Sequence, residues 1–410
     1  MVKPITKMNQ IRQSVTAHAG ARDQYQLSLA LHEADWLDRL VTELYVPDWL
    51  YQTAPSYARK RYCQGLPASK INHSLPAFWK TACAHAFHRD YNSSIDQEIS
   101  LTALRTAEKT GSNLFLYSYY AFQAFQQAEK LGIPHRILFQ LHPHPSSVRS
   151  ILAQEMDRLP FASQSIRDEV EFSLADSRLD GLIAEPQLAT FCLTASQFTR
   201  KTLIENGVPA SRIKVVPYGV DTTAFPQRKK APSTTPFRII FVGRMNQRKG
   251  LADLLQAVRL LKSRSIEVVL CGRGYIDQPI INEYKDLTIT LHKGIGTEQL
   301  VRELHRSHVF VLPSLAEGFA HVVLEAMATG LPVITTENTC GPDVITEGKH
   351  GYLVPIRNPE RLAAVLDAAM AEPKVWYEMG RQAAIQARTY TWERFRQGIR
   401  EVYQEIVKSN

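Results

Sequence analysis

The sequence predicts an α/β protein of two domains, each built on a parallel, doubly wound sheet. The chain has 410 residues, which exceeds what one typical hydrophobic core holds, so two domains are expected. Strand and helix patterns alternate regularly after residue 236, as in a doubly wound sheet. A similar but less regular alternation precedes residue 217, which predicts a first domain of related architecture.

The second half has the clearer pattern. Buried-type apolar runs predict strands at 237–242, 267–271, 287–292, 309–314 and 333–336. Apolar residues at helical spacing predict helices at 249–261, 297–304 and 318–328, with Thr297 as a capping residue. In such sheets, ligands bind where the loops leave the carboxyl ends of the strands.

The first half predicts strands and a helix of the same kind. The strands are expected at 14–18, 113–117, 136–141, 191–195 and 213–216, and the helix at 25–41. A Pro/Ser/Thr-rich stretch at 227–236 marks the junction. We therefore expect domains at 1–216 and 217–390, and a helix in 391–410 that either closes the second domain or returns to the first.

Composition indicates a cytoplasmic protein. The N-terminal residues lack an apolar signal core, and no apolar run approaches the ~18 residues of a membrane span. The five cysteines are scattered without a close pair, which favours free thiols over disulfides or a metal site.

The charge is basic, with a formal net charge of +8. This suits a phosphorylated ligand, an anionic membrane or another polyanion. The sequence has no nucleic-acid-binding motif, so we expect no nucleic-acid partner. A basic, aromatic stretch at 57–89 leaves two alternatives open, a peripheral contact with the inner face of the membrane and a merely basic surface.

Two acids bracket the start of the helix predicted at 318–328. Glu317 stands at its mouth and Glu325 two turns on, about 12 Å along the axis. The first amides of the helix, around Phe319 to His321, lack intrahelical partners and attract anions. The spacing predicts an extended ligand whose phosphates lie between the two carboxylates.

A cationic loop follows the strand predicted at 237–242. Arg244 and Lys249 are five residues apart in the sequence Gly243-Arg-Met-Asn-Gln-Arg-Lys-Gly250. An arginine fork and a lysine point charge in one such loop can converge on a pair of phosphates.

These motifs resemble glycosyltransferase family 4, which comprises retaining sugar-nucleotide transferases of the GT-B fold. The resemblance rests on Gly243-Arg244 with Lys249-Gly250, then Pro313-Ser314, Glu317-Gly-Phe319 and Glu325-Ala-Met-Ala before Gly330-Leu-Pro-Val-Ile334. It covers residues 191–395. It implies two Rossmann-like domains facing across a cleft, a nucleoside-diphosphate sugar as co-substrate rather than a cofactor, and a saccharide or lipid-linked acceptor.

The resemblance also implies roles for single residues. Arg244 and Lys249 would hold the donor diphosphate, Glu317 the transferred sugar and Glu325 the ribose. The amides of Phe319, Ala320 and His321 would contact sugar hydroxyls or phosphate.

The first domain matches the family less closely. Its first loop has one glycine where the family often has two. The resemblance implies that Gly20, Arg22 and Asp23 of this loop contact the acceptor. The family places a histidine near the sugar after a first-domain strand. His142 fits that place, and His144 lies two residues on.

The expected chemistry follows from these charges. Fixed cations and helix amides would stabilise the departing diphosphate, so no metal is required. The two glutamates are too far apart for the carboxylate pair of a retaining glycosidase, which favours front-face attack over a covalent intermediate. A GT-B sugar-nucleotide epimerase and a catalytically silent nucleotide- or sugar-binding protein remain alternatives.

Overall fold

A computed structural model describes residues 12–87, 92–233, 235–261 and 265–408, without the side chains of 56–57, 82–87 and 92–93. In this part of the chain the strands form two parallel sheets. The first, in the order β3-β2-β1-β4-β5-β6-β7, comprises β1 Ser14–Ala17, β2 Leu37–Thr42, β3 Ile71–His73, β4 Asn113–Tyr117, β5 Arg136–Gln140, β6 Phe191–Thr194 and β7 Ile213–Val215.

The second sheet carries the strands predicted after residue 236, with one further strand at its edge. In the order β10-β9-β8-β11-β12-β13 it comprises β8 Phe237–Val242, β9 Ile266–Gly272, β10 Ile289–Lys293, β11 Val309–Leu312, β12 Val333–Thr336 and β13 Gly351–Val354. The side chains of β11 and β12 are fully buried, as their apolar runs predict.

Helices cover both sheets. Those of the first half are α1 Gln26–Glu33, α2 Asp48–Tyr51, α3 Ser56–Arg59, α4 Leu75–Phe87, α5 Asn92–Thr110, α6 Phe122–Ala128, α7 Pro145–Arg158, α8 Ser163–Arg167, α9 Val170–Ser173, α10 Asp176–Leu188 and α11 Gln197–Glu205. Those of the second half are α12 Leu251–Leu260, α13 Gln278–Glu283, α14 Thr297–Arg306, α15 His321–Ala328, α16 Gly341–Val344, α17 Pro359–Ala371, α18 Pro373–Ala387 and α19 Trp392–Lys408. Within the described ranges, none of these helices has the length and apolar content needed to cross a bilayer.

The helix predicted at 25–41 is wrong. Helix α1 ends at Glu33, Asp35 takes a left-handed conformation (φ 58°), and 37–42 is strand β2. Parallel strands pair with β2 on both sides, and its side chains are almost all buried. The apolar residues of β2, Leu37, Leu40 and Val41, stand at positions i, i+3 and i+4, so they fit a helical period although they belong to a strand.

Two helix starts also differ from the prediction. Helix α14 begins at Thr297, but its N-cap is Gly296 and no side chain caps it, so the capping role of Thr297 is wrong. Helix α15 begins at His321 rather than 318, because Ala320 before it is left-handed (φ 66°). Residues 318–320 therefore form a loop that the sequence pattern merged with the helix.

The last helix packs against the first sheet. The Tyr403 hydroxyl lies 2.8 Å from Ser14 Oγ and accepts a hydrogen bond from Asn113 Nδ2 at 3.2 Å. On the same helix, Arg396 and Arg400 both pair with Glu33 of α1. Helix α19 thus ties the end of the chain to its beginning. The boundaries at 216 and 390 stay a prediction.

Candidate active site

The carboxyl edges of the two sheets meet where Gly318, after β11, packs on Leu141, after β5, and we call the region around this contact the cleft. The cationic loop follows β8, Glu317 follows β11, and these strands are neighbours in the second sheet. His142 follows β5 of the first sheet. The two motifs of the second half therefore lie side by side, as expected for loops at the carboxyl ends of adjacent strands.

Lys249 and Glu317 form an ion pair. The ammonium of Lys249 contacts the Glu317 carboxylate, and Ser314 Oγ lies 3.3 Å from the same oxygen. Burial alone would raise the pKa of Glu317, but Lys249 and Arg248 together lower it below its ordinary value. Glu317 is therefore a carboxylate at neutral pH, and it faces two cations.

Position 250, directly after Lys249, requires a glycine. Its backbone is left-handed (φ 72°), and a Cβ there would lie 2.0 Å from the carbonyl oxygen of Pro313. The cationic loop thus packs directly on the loop that carries Glu317. This close approach brings the side chains of Lys249 and Glu317 together.

Arg248, which the sequence reading missed, joins the cationic loop to the first domain. Its guanidinium donates to Glu169 at 2.8 Å and to Glu171 at 3.1 Å. Asn246 donates to the same Glu169 at 2.7 Å. Arg244 stays 69% exposed and lies 3.8 Å from Glu169. Of the two predicted cations, Lys249 is therefore engaged in the cleft and Arg244 points largely into solvent.

A second polar network lies beside the first. Glu155 of α7 is fully buried and pairs with Arg158 at 2.6 Å and with Arg357 at 2.8 Å. Gln247 of the cationic loop donates to Glu155 at 2.6 Å and to Asp253 at 2.8 Å. Paired buried charges of this kind are costly to break singly. Both networks hold the cationic loop against the first domain.

The two histidines after β5 have different surroundings. His144 is buried and caps α7, its Nδ1 accepting from the Ser146 amide at 3.3 Å. His142 is half-buried, and its ring lies edge-on to Tyr119 at 5.9 Å between centroids. Burial, followed by the charge of Arg248, lowers the pKa of His142 to about 3, and Glu317 acts in the opposite direction. His142 is thus a neutral imidazole within the field of the cationic loop.

Gly318 lies at a close contact between the two domains. Its carbonyl accepts hydrogen bonds from Ser196 Oγ at 2.5 Å and from Thr199 Oγ1 at 3.1 Å. A Cβ at this position would lie 1.9 Å from the carbonyl oxygen of Leu141. The backbone beside Glu317 therefore contacts the backbone beside His142. Sequence analysis did not single out Ser196 or Thr199.

The start of α15 presents backbone rather than side chains. The first hydrogen bond of the helix is donated by Val323 N to Ala320 O, so the amides of His321 and Val322 precede it. The rings of Phe319 and His321 instead pack on Tyr218, with centroids at 5.4 and 4.5 Å. Any contact of His321 with an anion would therefore come from its amide.

Glu325 lies one turn further along α15 and is half-buried. Burial raises the pKa of its carboxyl to about 7. No group in the described part of the chain hydrogen-bonds to this carboxylate. An acid in such a place is suited to accept hydrogen bonds from a hydroxyl-bearing ligand.

The loop after β1 carries the three predicted acceptor residues. The Gly20 amide donates to Glu43 at 3.0 Å, and Arg61 pairs with Glu43 at 2.6 Å. Asp23 accepts from Tyr117 at 2.5 Å and from the Leu27 amide at 3.1 Å, and burial raises its pKa to about 7. Arg22 is exposed, but its guanidinium lies beside the Tyr120 hydroxyl and the Asp96 carboxylate. All three predicted acceptor residues therefore have partners within the first domain.

A polar cavity of about 370 Å³ lies beside this loop in the first domain, between α5, α6 and α10. Asp96 and Arg178 form an ion pair in its wall. Gln123 lines it with a buried amide oxygen that has no hydrogen-bond partner in the described structure. Tyr119, which is left-handed (φ 81°), lines the cavity and also contacts His142. The cavity therefore adjoins the cleft.

Residues 224–388 match the family of glycosyl transferases group 1. The chain is 31% identical over 186 residues to the amylovoran biosynthesis glycosyltransferase AmsK of Erwinia amylovora, covering 42% of this chain and 46% of that protein. It is 32% identical over 199 residues to a D-inositol 3-phosphate glycosyltransferase of Arthrobacter sp., covering 44% and 47%. The chain thus spans about half the length of the curated relatives it matches.

Solved structures resemble the whole chain. Sucrose-phosphate synthase from Thermosynechococcus elongatus superposes with a TM-score of 0.63 at 17% identity, covering 97% of this chain and all of that one. Anabaena Alr3699/HepE in complex with UDP-glucose superposes with a TM-score of 0.61 at 15% identity, covering 96% and 100%. These likenesses show the fold, and the GT-B architecture expected from the sequence is confirmed.

Proposed function

We propose that this chain, whose residues 224–388 belong to the glycosyl transferases group 1, is a retaining transferase that moves a sugar from a nucleoside-diphosphate sugar to an acceptor hydroxyl. The observation that carries the proposal is the contact between Lys249 and Glu317 at the mouth of α15. A cation for phosphate and a carboxylate for sugar hydroxyls lie side by side there, beside amides that precede the first helical hydrogen bond.

The donor would lie along α15. Lys249 and Arg244 would hold its diphosphate, helped by the amides of Ala320 and His321 at the start of the helix. Glu317 would orient the transferred sugar and Glu325 would accept from the ribose. Arg248 has a supporting role in this arrangement, since its charge is already shared with Glu169 and Glu171.

The reaction would proceed on one face of the sugar. The acceptor oxygen attacks the anomeric carbon while the bond to the β-phosphate oxygen breaks, and the acceptor proton passes to the departing phosphate. Lys249, Arg244 and the helix amides stabilise the negative charge that builds on that phosphate. His142 is neutral at working pH. It would hydrogen-bond a sugar hydroxyl near the reacting centre without adding charge.

The acceptor would bind in the first domain. Gly20, Arg22 and Asp23 of the loop after β1 would contact it, and the 370 Å³ polar cavity gives room for a hydroxyl-rich group. The acceptor is a saccharide or a lipid-linked molecule, and a cytoplasmic enzyme with peripheral membrane contact would suit the second.

A thermal-shift screen of UDP-, GDP- and ADP-sugars tests the proposal. A ligand that binds the folded state raises the melting temperature by mass action, so one nucleotide class should stand out, and Lys249→Ala should reduce that shift. A donor-hydrolysis assay then separates a transferase from a silent binding protein. If no sugar nucleotide shifts the melting temperature or is hydrolysed, the proposal is wrong.

A further inference from the structure

One edge of the first domain exposes large apolar side chains in a basic setting. Trp49 is 80% exposed, Trp79 66% and Leu75 65%. Soluble surfaces rarely present side chains of this size so fully, and tryptophan is enriched where a protein meets the membrane interface. These three residues, which we call the apolar rim, are not used by the donor or acceptor contacts proposed above.

Topology puts the apolar rim on one side of the molecule. Trp49 lies in α2, which follows β2, and Leu75 and Trp79 lie in α4, which follows β3. These strands are parallel neighbours and β3 is the edge strand, so both helices begin at the same carboxyl edge of the sheet. The rim therefore stands at the outer end of the edge that carries the acceptor loops.

The segment that carries the apolar rim has an excess of basic residues. Between residues 44 and 80 the sequence has five lysines and arginines and a single acid, Asp48. Two of the five cations are paired with acids outside this stretch, whereas Arg59 and Lys60 are exposed. Anionic bilayers attract cationic residues, and apolar side chains next to them can enter the headgroup region. The electrostatic attraction and the apolar burial both contribute to binding. Residues 88 and 89 of the 57–89 stretch lie outside the described residues.

The basic segment 59–61 is linked to the acceptor side by direct contacts. Arg61, next to Arg59 and Lys60, pairs with Glu43, and Glu43 accepts the amide of Gly20 in the loop after β1. A surface that holds the segment 48–61 would therefore also hold the mouth of the acceptor side.

We propose that the apolar rim and its basic surround dock on an anionic lipid bilayer, and that the acceptor is presented from that bilayer by a lipid anchor. The second half of this statement rests on the proposed transferase function, whereas the docking itself does not. Trp49, Leu75 and Trp79 enter the headgroup region, and the neighbouring lysines and arginines contact anionic headgroups. The cleft then opens toward the membrane surface on its acceptor side.

Sedimentation with vesicles tests the docking in the absence of donor and acceptor. The whole chain should bind vesicles that contain phosphatidylglycerol and not vesicles of phosphatidylcholine alone, and binding should fall as salt screens the charges. The double variant Trp49→Ser/Trp79→Ser should lose roughly tenfold or more of this binding, since each interfacial tryptophan and its apolar contact is removed. Lys60→Glu should weaken binding several-fold.

Matched controls come from the second domain. Val375 and Ile385 on α18 are 54% and 51% exposed, and serine at both should leave vesicle binding unchanged. Melting temperatures of all variants should stay at the wild-type value, because the changed side chains are exposed. Equal binding to neutral and anionic vesicles, or undiminished binding of Trp49→Ser/Trp79→Ser, would overturn the proposal. So would a dimer in solution that these two substitutions dissociate, since the rim would then serve a second copy.

Activity assays separate this proposal from the transferase function. With an acceptor anchored in anionic vesicles, Trp49→Ser/Trp79→Ser should reduce transfer about tenfold and leave donor hydrolysis at the wild-type rate. Loss of both activities would contradict the docking role of these side chains. Normal vesicle binding without any donor hydrolysis would contradict the transferase function alone.

Discussion

The ammonium of Lys249 lies against the carboxylate of Glu317, although 68 residues separate them in the sequence. The cationic and acidic motifs of the chain are therefore one site. Each side chain neutralises the other before any ligand arrives. Removing either side chain is therefore expected to change both the stability of the protein and its affinity for the donor.

Lys249→Ala is expected to weaken donor binding by about 2 kcal/mol, the order of a lost charge-assisted contact. It should also lower the melting temperature, because Glu317 loses its nearest cation. Adding Glu317→Gln should restore much of the stability but none of the donor affinity. Arg244→Ala, whose side chain is largely exposed, should weaken the donor without changing the melt. Calorimetry and thermal melts measure both quantities, and wild-type values of both for Lys249→Ala would refute the pairing.

His142→Ala is expected to lower kcat and kcat/KM together while nucleotide affinity stays, the pattern of an interaction made mainly in the transition state. Glu317→Gln should behave alike. His144→Ala is the matched control. It removes a helix cap, so it should cost about 1 kcal/mol of stability with kcat unchanged. If His144→Ala lowers kcat and His142→Ala does not, the two roles are reversed.

Glu325 should make stability depend on pH. Its pKa in the folded protein is raised from 4.5 to about 7, so its protonated form is favoured by folding and this contribution is lost as pH rises through that interval. At pH 8 the free energy of unfolding of Glu325→Gln should therefore exceed that of wild type, by at most about 3 kcal/mol. Near pH 4 the two proteins should be equally stable. The nucleotide affinity of Glu325→Gln should fall. Denaturant unfolding at both pH values is the measurement, and an equal difference at both would exclude this origin.

Turnover is expected to survive chelation by EDTA. Lys249, Arg244 and the amides at the start of α15 supply fixed positive charge where the diphosphate would depart. Donor hydrolysis with and without the chelator is the comparison to make. Complete loss of activity, restored by magnesium or manganese, would show that these groups do not suffice.

Gln123→Ala is expected to raise the KM for the acceptor roughly tenfold, the effect of one lost hydrogen bond to a bound hydroxyl. Donor hydrolysis should not change, because the cavity that Gln123 lines lies in the first domain. Gln126→Ala on the exposed face of the same helix should leave both constants alone. An unchanged acceptor KM for Gln123→Ala would place the acceptor elsewhere.

The second sheet could be predicted from sequence because its strands are short apolar runs between clear helical periods. The helix predicted at 25–41 was wrong because Leu37, Leu40 and Val41 of strand β2 stand at helical spacing. Lys249 and Glu317 could be found because each follows a strand end within a local motif. Arg248 could not be found, because its partners Glu169 and Glu171 are 77 to 79 residues away in the first domain. Contacts between domains produce no local sequence pattern from which they could be predicted.

The missing side chain at Gly318 fixes how near the two halves of the molecule can come. A single methyl group there would lie 1.9 Å from the Leu141 carbonyl oxygen and would force the two loops apart. The distance from Glu317 to His142 would grow with it, although neither residue had changed. The distance between the reacting groups on the two domains is therefore set by one backbone contact that takes no part in the reaction.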